Sequence, residues 1–138
     1  MDQRLSFVTL AVADVAVSRS FYVDGLGWEA SYDDDSVLMI QVGQHVVLSL
    51  WDRVEFEDEL GPIAAYDGVP PFALAHNVPT PDDVDAVLTT AREAGAEMLG
   101  EPQERAWGGY TGYFADPDGF RWEVAHNPGP IGEKVLPT

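Results

Sequence analysis

Cysteine is absent from the 138 residues, which excludes disulfides, thiolate metal sites and a cysteine nucleophile together. Lysine occurs once, at Lys134, and with the arginines gives 7 bases against 24 acids, a formal net charge of −17. Such a surface repels phosphate backbones and anionic headgroups, so neither nucleic acid nor a membrane surface is an expected partner. No segment approaches the ~18–20 uninterrupted apolar residues of a membrane span. The polar start Met1-Asp2-Gln3-Arg4 carries no secretory pattern, and a reducing cytoplasm is the expected compartment. There is no phosphate loop of the GxxxxGK[ST] kind, and no serine sits in a nucleophile elbow. Paired carboxylates occur only in runs such as Asp33-Asp34-Asp35, which read as solvated turns.

What is present is a hydrophobic content of 46%, enough for one real core at this length. Leu5 to Val12 alternates as a strand, with Val8, Leu10 and Val12 on one face and Phe7, Thr9 and Ala11 on the other. Asp14 is placed to cap a helix reaching about Val23, closed by Asp24-Gly25-Leu26-Gly27. Strands follow at Trp28 to Tyr32, Val37 to Val42 and His45 to Trp51. An acidic loop or short helix covers Asp52 to Leu60, and a Gly/Pro-rich link runs from Gly61 to Pro71.

The second half repeats this order. Phe72 to Val78 reads as a strand. Val84, Val87, Leu88 and Ala91 fall at i, i+3, i+4 and i+7 of an amphipathic helix that ends at Gly95. Three strands complete the unit, at Ala96 to Gly100, Gly109 to Phe114 and Phe120 to His126, the last two joined by Asp116-Pro117-Asp118-Gly119. The expectation is one α+β (α/β) domain over residues 1–138, built from two tandem βαβββ modules. Module one spans about 4–60 and module two about 71–127, with an extended tail over 128–138. A single helix cannot cover both faces of a sheet, so the modules are expected to pair into a curved mixed-sheet cup with the helices outside.

Two motifs make the sequence recognisable. Phe7-Val8-Thr9-Leu10-Ala11-Val12-Ala13-Asp14, followed by Ser20-Phe21-Tyr22-x-x-Gly25-Leu26-Gly27-Trp28, resembles the first module of the vicinal oxygen chelate superfamily, which holds glyoxalases, bleomycin resistance proteins and extradiol dioxygenases. The run from Trp107 to Val124, with Asp116-Pro117-Asp118-Gly119-Phe120-Arg121-Trp122-Glu123 at its end, resembles the last hairpin of the second. The resemblance covers nearly the whole chain and implies a glyoxalase-like fold, but no particular reaction. It also implies a homodimer.

Catalytic members of that superfamily generally hold a divalent metal in the cup with His, Gln or Glu, and the metal's open positions polarise a substrate bearing adjacent oxygens. By this resemblance the four ligand positions fall at Phe7, at Leu48 (Leu50 in a shifted register), at Ala73 or His76, and at Glu123. Phe7 and Leu48 have no donor atom. If a metal is present, Glu123 and His76 would hold it, and two ligands are few for a secure site. Otherwise Glu123 bonds the ligand or pairs with Arg121. His45 and His126 read as surface residues.

The leading expectation is therefore a protein without a cofactor, binding an aromatic or cationic drug-like molecule in the manner of the family's drug-sequestering antibiotic resistance proteins. Phe7, Thr9, Leu48, Trp107, Tyr110 and Tyr113 would line the pocket, and Glu123 would anchor the ligand. The alternative is a metal-dependent lyase, isomerase or dioxygenase of the same superfamily.

Overall fold

The computed structural model describes residues 1–65 and 67–137. They form two compact units, Met1–Ala65 and Tyr66–Thr138, dividing within the Gly/Pro-rich link. The first carries the βαβββ order expected from the sequence, and the second carries it with one strand split in two. No helix among the described residues is long and apolar enough to cross a membrane.

The first unit begins with β1 (Phe7–Val12), α1 (Val15–Arg19) and a π-helical turn (Ser20–Gly25), followed by β2 (Tyr32–Asp33), β3 (Val37–Gly43), β4 (Val46–Asp52) and α2 (Arg53–Leu60). Asp14 caps α1 by accepting from the Ala16 amide at 2.8 Å. The sheet runs β1-β4-β3-β2, with β1 parallel to β4. Side-by-side partners share a face. The pairs Leu10↔Leu50, Leu38↔Leu50 and Ile40↔Leu48 therefore set one continuous apolar layer, against which α1 packs, and Val15 of α1 and Phe21 and Tyr22 of the π-turn are buried.

The strand expected over residues 28–32 is the two-residue Tyr32–Asp33, and the acidic run beside it is more structured than a solvated turn. The Asp34 carboxylate accepts from the Ser36 and Val37 amides at 2.8 and 2.9 Å and from the Tyr32 hydroxyl at 2.8 Å. Those bonds hold its pKa below the ordinary carboxylate value, the Ser36 amide contributing most. Asp33 meanwhile pairs with the Arg19 guanidinium.

The second unit contains β5 (Leu74–Asn77), α3 (Pro81–Glu93), β6 (Glu97–Met98), β7 (Gln103–Glu104), β8 (Tyr110–Ala115), β9 (Arg121–His126) and α4 (Pro130–Val135). A reciprocal capping box between Thr80 and Asp83 starts α3, which buries Val84, Leu88 and Ala91 against β8 and β9. The sheet runs β5-β9-β8-β6, and β7 also pairs with β8. The one strand expected over 96–100 is thus two short strands, broken where Gly100 takes φ +93° ahead of Pro102. Asp116 ties the β8–β9 turn by accepting from the Asp118 and Phe120 amides at 3.0 and 2.9 Å. The tail is not the extended arm expected of it. Pro130 opens α4, and Gly132 lets the helix lie against the Asn127 backbone, where a Cβ would collide.

Candidate functional site on the second sheet

The hairpin turn at residues 116–119 sets the register Ala115↔Arg121, Tyr113↔Glu123 and Thr111↔Ala125. Those residues share the sheet face turned away from α3. The opposite face carries Phe114, Trp122, Gly112 and Val124 and packs on the helix, with Leu88 filling the space that a Cβ at Gly112 would need.

On the open face the Tyr113 hydroxyl donates to Glu123 Oε1 at 2.8 Å. Arg105, just beyond β7, lays its guanidinium 5.9 Å from the centroid of the Tyr113 ring and donates through Nε to Thr111 Oγ1 at 2.6 Å. Arg105, Tyr113, Arg121 and Glu123 are half-buried, and Thr111 is buried. Arg121 does not pair with Glu123. It turns back to donate to the Gly119 carbonyl at 2.8 Å, leaving its buried Nε without a partner. Trp107 lies over Gly109, whose missing side chain makes room for the indole ring. Gly109 stands two residues before Thr111, so strand alternation continues the same face toward Trp107.

Burial raises the Tyr113 pKa, and the bond to the Glu123 carboxylate raises it further. Replacing Glu123 with Gln removes that negative acceptor. The expected outcome is a Tyr113 phenol that ionises at lower pH, read as the 295 nm titration difference against a Tyr113→Phe background.

The candidate residues divide between faces. Tyr113 and Glu123 are brought together, and Trp107 lies toward the same face. Phe7 and Thr9 share a row on β1, opposite the apolar layer of the first unit, and both are exposed. Leu48 is a correction. It pairs with Val8 and Ile40 in that apolar layer and is 2% exposed, so it lines the core rather than the row of Phe7 and Thr9. Leu50, the shifted-register choice, is buried in the same layer.

Tyr110 is a second correction. It sits three residues from Tyr113 on one strand, so it faces the other way and donates to Asp85 of α3 at 3.0 Å. There it borders a solvent-open groove of about 320 Å³ formed with Asp85, Leu88, Met98 and Glu101.

His76 is the third. Its register partner is Val124, whereas Glu123 is level with Ala75, so imidazole and carboxylate lie on opposite faces of the sheet. Desolvation also lowers the His76 pKa. Ala73 precedes β5 and supplies no donor. Sequence reasoning missed Arg105, which the pairing of the unexpected β7 with β8 brings beside Tyr113, and Thr111, which strand alternation already sets on the Tyr113 face two residues earlier in β8.

A divalent metal does not fit this donor set. On this face Glu123 already accepts from Tyr113, the other carboxylate, Glu97, lies two strands away on β6, and the nearest imidazole on the strands faces away. No group of three or more metal-binding side chains exists among the described residues.

The comparisons with known proteins agree with this architecture. The family model of the Glyoxalase/Bleomycin resistance protein/Dioxygenase superfamily matches residues 4–124, and the chain belongs to that superfamily. It is similar to a glyoxalase-related enzyme from Fulvimarina pelagi, with 32% identity, 91% of this chain and 89% of that chain covered, and a TM-score of 0.82. It also resembles a hypothetical protein, SA1046, from S. aureus, at 25% identity, 92% and 95% coverage and a TM-score of 0.76. A lactoylglutathione lyase from Agrobacterium tumefaciens shares the fold at 21% identity, 91% and 95% coverage and a TM-score of 0.69. No curated protein matches the chain.

Proposed function

We propose that this chain is a metal-free small-molecule-binding protein of the glyoxalase/bleomycin-resistance type, sequestering an aromatic ligand on the second unit's open sheet face. The observation that carries this reading is the 2.8 Å bond from Tyr113 to Glu123. The carboxylate at the position the superfamily's enzymes give to a metal is here held by a phenol. Around it stand an aromatic ring, a hydroxyl and fixed guanidiniums, a set that stacks on and hydrogen-bonds a flat molecule. A Tyr–Glu pair of this kind is preorganised, because its side chains are already ordered before a ligand arrives.

Thermal-shift screening of aromatic ligands against the purified protein, with excess EDTA throughout, tests the reading. Ligands should raise the melting temperature equally with and without chelator. Stabilisation that appears only when a divalent ion is supplied would contradict it.

A further inference from the structure

The cations of this protein are few, and their partners divide them into two groups. Arg4, Arg19 and Arg53 each lie within 4.0 Å of an acid, at Asp2, Asp33 and Glu57. Among the described residues, four cations have no carboxylate within 4.0 Å although the chain carries 24 acids: Arg92 and Lys134, which are exposed, and the pair Arg105 and Arg121. The members of that pair are half-buried and belong to the face that bears Tyr113 and Glu123. Arg105 bonds only the neutral Thr111 hydroxyl, and Arg121 only the Gly119 carbonyl.

A guanidinium withdrawn from water without a counter-charge is unfavourable, more so when Nε is buried with nothing to donate to, as in Arg121. Neither guanidinium has a carboxylate within 4.0 Å, although its face carries Glu123 and, level with Ala115 on the edge strand β6, Glu97, and the molecule's formal net charge is −17. The aromatic surface is adjacent, in Tyr113 and in Trp107, which is 56% exposed.

We infer that the ligand of this face is an aromatic carboxylic acid. Its carboxylate would be taken by Arg105 and Arg121, its ring by Tyr113 and Trp107, and a donor on the ring by the remaining Glu123 oxygen. The planar guanidinium fork suits a carboxylate better than any neutral group. The acidic surface elsewhere is then a solubilising feature, not a guide to the ligand's charge. This inference rests on the proposed binding function and replaces a cationic ligand with an anionic one.

The experiment compares three probes of one shape by isothermal titration calorimetry: 2-naphthoate, 2-naphthamide and 2-(aminomethyl)naphthalene. The expected result is 2-naphthoate binding about ten-fold or more tighter than either of the others, the size of one charge-assisted hydrogen bond. Arg105→Gln and Arg121→Gln should each weaken 2-naphthoate more than 2-naphthamide and so remove most of that preference, whereas a variant that merely disturbed the fold would weaken both alike. Equal or tighter binding of the amine overturns the inference and leaves the binding function standing. Loss of all three affinities together in the arginine variants also overturns it. If none of the probes binds the unaltered protein, both the inference and the function beneath it fail.

Discussion

Leu48→Ala should lower the unfolding free energy by about 3 kcal/mol in urea melts, the usual size for truncating a fully buried leucine. Leu48 is 2% exposed in the central strand β4, flanked by Val8 on β1 and Ile40 on β3. Deletion of its isobutyl group therefore opens a cavity that two paired strands prevent from closing. Phe7→Ala provides the contrast. Phe7 is the larger side chain, but it is 53% exposed, so its removal should cost less than about 1 kcal/mol. Had both residues lined one pocket, their truncations would resemble each other in stability and differ little in kind. A small loss at Leu48 would mean that the register of β4 is wrong.

The second large effect is expected at Gly112. A Cβ there would run into Leu88 Cδ1 and come within 3.2 Å of Pro102 Cβ. Leu88 is itself buried on the α3 face that packs on the sheet, so any shift of its side chain disturbs that packing. Gly112→Ala should therefore destabilise the protein by about 1–3 kcal/mol through overpacking, seen as a lower denaturation midpoint with an unchanged slope. Gly109→Ala sets the comparison, because its Cβ would meet only the Trp107 ring. That ring is exposed and free to swing, so the expected change is in tryptophan fluorescence rather than in stability.

These two cases show how far the sequence could be read. Strand alternation places Val8, Leu10 and Val12 opposite Phe7 and Thr9, and the Asp-Pro-Asp-Gly turn fixes the last hairpin. From that turn alone, Tyr113 lies opposite Glu123. The same arithmetic separates Tyr110 from Tyr113, since an odd spacing on one strand puts them on different faces. A pocket lined by both is therefore inconsistent with the strand period. Leu48 was misplaced for a different reason. A family ligand position was carried onto a strand in which Leu48 and Leu50 alternate with Val47, Ser49 and Trp51, and composition gives little to tell the two rows apart.

His76 was beyond reach of any local pattern. Its face depends on the parallel register between β5 and β9, which is set by the chain's path through α3 rather than by neighbouring residues. The contribution of Arg105 was hidden in the same way, because β7 is only Gln103–Glu104 and carries no hydrophobic alternation. Its pairing with β8 is tertiary. The helix α4 was obscured by proline and glycine, although Pro130 is well placed at a helix start.

The central claim is that Glu123 stands in its strand as a hydrogen-bond acceptor for Tyr113 and not as a metal ligand. The most direct measurement is calorimetric titration of Mn²⁺, Ni²⁺ and Zn²⁺ into the metal-stripped protein and into its Glu123→Gln variant. A chain this acidic collects divalent ions on its surface, so the difference between the two proteins carries the answer. The prediction is identical isotherms for both. A stoichiometric site present in the unaltered protein and abolished by Glu123→Gln would contradict the account.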